Sequence, residues 1–186
     1  MADGHSDYLC AAQTNQTLLP TVKTTIISFK SFLYFIALTG ILMIQSCVDD
    51  VSYEEVKELE GSVWPQDDTL VYSFSIDDTA HYYSVYLTMR IDNDYPYSNI
   101  YAGVNMRGPG GQDISELKGF EMADKEGKWK GKSYGGLIGF EFPLYEQMQF
   151  HEGGTYKIHV LQYMRTENLA GVHDAGIKIL KGAPLL

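Results

Sequence analysis

The chain has 186 residues, 45% of them hydrophobic, and a formal net charge of −10. That length and apolar content fit one domain with a real core and not comfortably two. The acidity argues against a nucleic-acid partner, which needs clustered Lys and Arg, and against attachment to a membrane through a basic patch.

The two cysteines, Cys10 and Cys47, both precede the region that reads as folded. The expected domain therefore has no disulfide and no thiolate metal site. The two Asp and two Lys before Cys47 cancel, so the whole of the −10 charge falls after it.

Residues 1 to about 22 are polar and irregular. Lys23 and Lys30 then precede an uncharged run, Ser31 to Ser46, reading SFLYFIALTGILMIQS. A basic n-region followed by an apolar h-region is the pattern of an export signal. A spanning helix needs about 20 apolar residues, so the run is short for a stable anchor. It ends in Ile44-Gln45-Ser46-Cys47, which resembles a bacterial lipobox. That resemblance implies cleavage before Cys47 and acylation of Cys47, although Gln45 departs from the small residue usual at its position. The alternatives are a plain secretory signal cut near Ser46 and a short uncleaved anchor.

After the lipidation candidate, residues 47–62 are acidic, lack core patterning and read as a tether, with a short helix open over Tyr53 to Leu59. From residue 63 onward the hydrophobic period becomes two. Leu70, Tyr72, Phe74 and Ile76 alternate with polar neighbours, as do Tyr83 to Ile91 and Ile100 to Met106. Such alternation predicts half-buried strands. Asp77-Asp78, Asp92 to Pro96 and Gly108 to Gly111 supply the turns. Further runs cover about 113–122, 128–134, 138–150, 154–164 and 172–181. Eight or so short strands, with no helix alternating between them, predict an all-β antiparallel sandwich over 63–186, jelly-roll-like in topology.

Several segments resemble the gliding-motility lipoprotein GldH family of Bacteroidota. The specific ones are Asn93-Asp94-Tyr95-Pro96-Tyr97-Ser98-Asn99 and Met122-Ala123-Asp124 with Gly127-Lys128-Trp129-Lys130-Gly131-Lys132. Trp64 to Ile76, Gly154-Thr155-Tyr156, Tyr163-Met164-Arg165 and Gly171 to Ile177 fit as well. The resemblance runs from about Val63 to Leu180. It implies an outer-membrane-associated lipoprotein linked to gliding machinery and type 9 secretion, and it transfers no active-site residue.

Nothing in the sequence supplies a catalytic constellation, and no cofactor or metal is expected. His81, His151, His159 and His173 have no metal-ligand spacing. His81 reads as part of a turn and His159 as strand surface. Gly131-Lys132-Ser133 mimics the end of a phosphate loop, but the first glycine of that motif would fall at Glu126.

The loop with Asp92, Asp94, Tyr95, Tyr97 and Asn99 is the most suggestive site. Asp and Asn favour turns by bonding their own backbone. They also ligate hard cations, and beside exposed rings they can bond sugar hydroxyls. Trp129 lies in KEGKWKGK, the one basic cluster, readable as a strand with outward Lys or as a contact patch. Asp124 and Asp174 could join the site only if folding brings them near.

The reading is a non-catalytic lipoprotein held in the envelope by lipid on Cys47 and working through other envelope or secretion-system proteins. The alternative is a lipid-anchored carbohydrate-binding sandwich. Exposed rings in a concave groove beside Asp or Asn would favour sugar, and a flat aromatic patch with a polar rim would favour a protein partner.

Overall fold

A computed structural model describes residues 50–185. The expected export signal, Cys47, Val48 and Asp49 lie outside the described residues. The strands are β1 (Val51–Glu58), β2 (Val63–Pro65), β3 (Leu70–Ile76), β4 (His81–Ile91), β5 (Asn99–Arg107), β6 (Asp113–Glu121), β7 (Lys132–Tyr134), β8 (Leu137–Gln149), β9 (Gly154–Gln162), β10 (Asn168–Ala170) and β11 (Val172–Pro184). The one helical element among the described residues is a 3-10 turn, Glu60–Ser62.

Two antiparallel sheets pack together. One has the order β1-β11-β4-β8-β7 and the other β3-β9-β5-β6, with a two-stranded ribbon of β10 and β2 beside them. The pairing is nested: β1 with β11, β3 with β9, β4 with β8 and β5 with β6. Successive rungs fall in alternate sheets, and the β11–β4 and β9–β5 ladders close each sheet. A long hairpin rolled up in this way is a jelly roll, as the strand count and turn spacing predict.

The core is the inward set of both sheets. Tyr72, Phe74 and Ile76 on β3 face Val85, Leu87 and Met89 on β4 and Ile177 and Ile179 on β11, all buried. Each such side chain stabilises the fold by roughly 1.5–3 kcal/mol on leaving water. The buried Tyr72 hydroxyl crosses between the sheets and donates to the Ala175 carbonyl at 2.7 Å. Phe150 meets Tyr83 and Tyr156 edge-on, with centroids 5.4 and 4.7 Å away.

Three expectations need correction. The acidic stretch read as a tether holds a strand, not a helix: β1 pairs with β11 from Val51 to Glu58. Tyr53 packs on Phe74 at 5.6 Å, and Lys57 Nζ donates to the Val71 carbonyl on β3 at 2.7 Å. Pairing and edge packing therefore override a composition poor in strand formers. The run 128–134 is strand only over Lys132–Tyr134. His81 begins β4, where its Nδ1 lies 2.8 Å from Asp78.

The sandwich has two ends. At the near end, where β1 starts, Lys181 N–H donates to the Asp50 carbonyl and Leu185 N–H to the Ala80 carbonyl, each at 2.8 Å. By strand direction, the segments 92–98, 122–131 and 163–167 gather at the far end.

Candidate functional site

The loop between β4 and β5 is built from its own backbone outward. Asp92 Oδ1 accepts the Asp94 amide at 2.9 Å, an Asx turn, and the Asp92 carbonyl receives the Tyr95 amide at 3.4 Å. The Asp92 amide donates to the Gly171 carbonyl at 3.0 Å. Gly171 has φ +81°, and a Cβ there would stand 2.5 Å from the Tyr95 nitrogen, so only glycine permits this approach.

Tyr95 is buried, and its hydroxyl donates to the Asn99 carbonyl at 2.9 Å. Burial pushes its phenol well above the ordinary tyrosine range. Its ring meets Tyr97 and Trp129 edge-on at 6.1 and 6.2 Å, and Trp129 meets Phe140 at 6.5 Å. These aromatics cap the core, and only Tyr97 is substantially exposed, at 37%.

The segment 122–130 is a tight hairpin, not the strand with outward Lys that its alternation predicts. Asp124 Oδ1 accepts the amides of Glu126 and Lys128 at 3.1 and 2.8 Å. Gly127 turns the chain at φ +82°, and Lys130 N–H returns to the Met122 carbonyl at 2.8 Å. Lys130 Nζ pairs with Glu121 at 2.6 Å, which holds that carboxyl below its usual range.

Folding brings Asn99 and Asp124 together. They line one groove of about 850 Å³ with Tyr101, Gly119, Glu121 and Lys130. Asp92, Asp94, Tyr95, Tyr97 and Trp129 do not line it. Asp174 stands apart, on the outer face of the five-stranded sheet. It is only 2% exposed, accepting from Arg90 Nε at 2.7 Å and lying 2.9 Å from His173 Nδ1. It lines a second groove with Arg90, Thr88 and Tyr134. Among the described residues, no three His, Cys, Asp or Glu side chains converge as a metal would require.

The exposed rings that matter lie elsewhere, on the outer face of the four-stranded sheet. Tyr101 is 45% exposed, and Tyr163 and Leu117 are 58% exposed. In register they form two rows, Tyr163–Tyr101–Gly119 and Leu161–Gly103–Leu117. Tyr101 lies across Gly119, where a Cβ would come 2.6 Å from its Cε1. The signal for this surface was the outward phase of Tyr101 and Gly103 in the alternation of β5. Leu117 was hidden in a run whose faces sequence alone did not assign.

This geometry defines a class: a jelly-roll domain with one aromatic-capped end and exposed apolar side chains on the outer face of one sheet. Comparison with known proteins goes further. The profile of the GldH lipoprotein family matches residues 51–179, and the chain belongs to that family. A gliding motility lipoprotein GldH homolog of Christiangramia forsetii is 27% identical over 159 residues, covering 82% of this chain and 97% of that protein. The gliding motility lipoprotein GldH of Flavobacterium johnsoniae is 26% identical over 151 residues, covering 77% and 93%. Two solved structures share a slighter likeness. A non-crystalline-cellulose-specific carbohydrate-binding module of family CBM28 has TM-score 0.40 and 12% identity, with 70% of this chain and 82% of that one covered. Dimeric latent PorU of Porphyromonas gingivalis has TM-score 0.35 and 11% identity, with 74% and 13% covered. At these scores neither likeness bears on function.

Proposed function

We propose that this chain is a lipid-anchored lipoprotein of the cell envelope, tethered at the outer membrane through acylated Cys47. In this reading it serves the gliding machinery, type 9 secretion or envelope assembly through protein contacts and not through catalysis. The observation that carries the reading is membership of the GldH lipoprotein family across the jelly roll. Two features of the site support it. The Asp92 and Asp124 carboxylates hold their own turns. An exposed patch on the outer face of the four-stranded sheet, Leu117 and Tyr101 with Gly103 and Gly119 between them, offers apolar surface to a partner.

The test is made in the native host, with the wild-type chain beside Cys47→Ser. The expected result is a mature chain beginning at acylated Cys47, release of the variant from the membrane fraction, and loss of gliding or secretion in the variant strain. A soluble, unacylated variant that restores the phenotype in full would overturn the anchored reading. The second reading, a tethered carbohydrate-binding module, is favoured by the exposed Tyr101 ring, which lines a groove with Asn99 and Asp124. Selective glycan-array binding abolished by Tyr101→Ala would establish it over protein contact.

A further inference from the structure

We propose that β6 is an open docking edge. An extended segment of a partner protein adds to it as a fifth strand of the four-stranded sheet and lays its outward side chains against Leu117 and the Tyr101 ring. This rests on the protein-contact reading above and names its surface.

The phase of the ladder identifies the free groups. At one end of the β5–β6 pair the Met122 amide donates to the Ser98 carbonyl at 2.7 Å, and at the other the Gly108 amide donates to the Gln112 carbonyl at 2.9 Å. Both bonds keep the register of the ladder between them, which runs without a shift. Antiparallel pairs alternate between bonded and unbonded, so the even-numbered residues of β6 bond to β5. Ser115, Leu117 and Gly119 therefore turn their amides and carbonyls to the outer edge. Among the described residues no backbone or side-chain group meets them.

Of the other edge strands, β1 ends the five-stranded sheet with eight residues and a register irregularity between Val51 and Tyr53. On β3, which ends the four-stranded sheet on its far side, Lys57 from β1 takes the Val71 carbonyl. The β7 edge is three residues long. The β6 edge is nine residues, with no proline and no bulge, and a row of unpaired groups on such a strand is a template for another chain.

The occupant follows from what is offered. Alternating amides and carbonyls at strand spacing are matched by an extended backbone and not by a sugar. Gly119 carries no side chain, so the Tyr101 ring reaches to the edge itself. An added strand thus meets the Leu117 side chain and the Tyr101 ring on its outward side. On its inward side it meets the Glu116–Lys118 pair, 2.7 Å apart, between Ile114 and Phe120, so polar residues suit the middle of its inward face. Antiparallel pairing of two copies centred on Leu117 would set Glu116 opposite Lys118 twice but also Asp113 opposite Glu121 at both ends, so the cross-strand charges cancel while each molecule carries −10, and a second copy gains no net charge match.

The test uses the full chain in its native host with p-benzoylphenylalanine at position 101 in place of Tyr101. Ultraviolet light should give an adduct with one protein, identified by mass spectrometry, and a probe replacing Val71 should give none. Adding Ser115→Pro removes an outward amide without touching the bonds to β5, and should weaken the adduct about tenfold or more, while Ser115→Ala leaves it. An adduct indifferent to Ser115→Pro, or one containing only two copies of this chain, overturns the proposal. Should Ser115→Pro fail to fold, hydrogen exchange of the wild type decides. Segment 113–121 must take up deuterium more slowly in native membranes than when purified, and equal uptake overturns the proposal. If a probe at Tyr97 cross-links and Tyr101 does not, the surface is wrong but the protein-contact reading stands. Silence from every site overturns both.

Discussion

At the scale of single residues, Gly171 carries more of the far end than its size suggests. It combines φ +81° with packing so close that a Cβ there would stand 2.5 Å from the Tyr95 nitrogen and 3.0 Å from Asp92 Oδ1. Gly171→Ala is expected to cost roughly 1–3 kcal/mol from the left-handed backbone alone, with the clash added, read as a lower urea midpoint. Tyr145 goes the other way. Its hydroxyl is buried without a partner, while its ring sits 4.8 Å from Lys118 Nζ. Tyr145→Phe removes an unsatisfied polar group and keeps the ring, so the urea midpoint should hold or rise. Asp78 accepts from Lys181 Nζ and from the Ala80 amide, each at 2.8 Å, which pulls its carboxyl down to about 2. A carboxyl depressed on folding stabilises above its unfolded value near 4, and that contribution is lost as the pH falls from there toward 2. Asp78→Asn should flatten this part of the acid-unfolding curve, and an unchanged curve would contradict the assignment.

At the scale of elements, the two edges of the four-stranded sheet are guarded by different means. On one side β1 covers β3 through Tyr53, Lys57 and the bond to Val71. On the other, Phe120 stacks on Phe142 at 4.6 Å, and the inward Glu116 and Lys118 guard the edge. Inward charges on an edge strand discourage indiscriminate pairing without blocking a matched partner. Amide exchange of the purified domain should therefore alternate along β6, slow at Glu116 and Lys118 and fast at Ser115, Leu117 and Gly119. Uniform protection would refute the derived phase. The reassignment of β1 is tested by truncation. A chain starting at Val48 should stay folded and monomeric, whereas one starting at Leu59 bares the β11 edge and should aggregate. β1 escaped the sequence reading because Glu54, Glu55, Lys57 and Glu58 mask its alternation. What makes it a strand is its partner: Glu54 pairs with Lys178 and Val56 with Gly176.

For the whole molecule, the anchored reading predicts an orientation. Val51 begins β1 four residues after Cys47, a span of at most about 14 Å. The eight residues of β1 then carry the chain about 25 Å further to the far end. Loops 92–98 and 122–131 and the Tyr101 patch lie toward the end of the domain opposite the start of β1, and an anchor at Cys47 predicts that they face away from the lipid. A fluorophore on a cysteine replacing Gly110, in the near-end turn, should be quenched by brominated lipid, and one replacing Asp94 should not. Equal quenching would contradict the orientation.

The chain by itself determined the fold class. Alternation such as Leu70 to Ile76 can bury one face only in a sheet, and turns at that spacing leave room for strands but not for crossover helices. It determined the family resemblance, because Asn93 to Asn99 and Met122 to Lys132 are local patterns. It also held the candidate loop, whose Asp92 turn is local chemistry. Tertiary structure decided which faces those patterns present. It buried Tyr95 and half-buried Trp129 as a cap, because Phe140 and Gly171 arrive from distant strands. It placed Asp174 on another sheet and aligned Tyr101, Leu117 and Tyr163 from three separate segments. A strand's period tells which residues share a face, but only its pairing tells what lies beside them and which edge is left open.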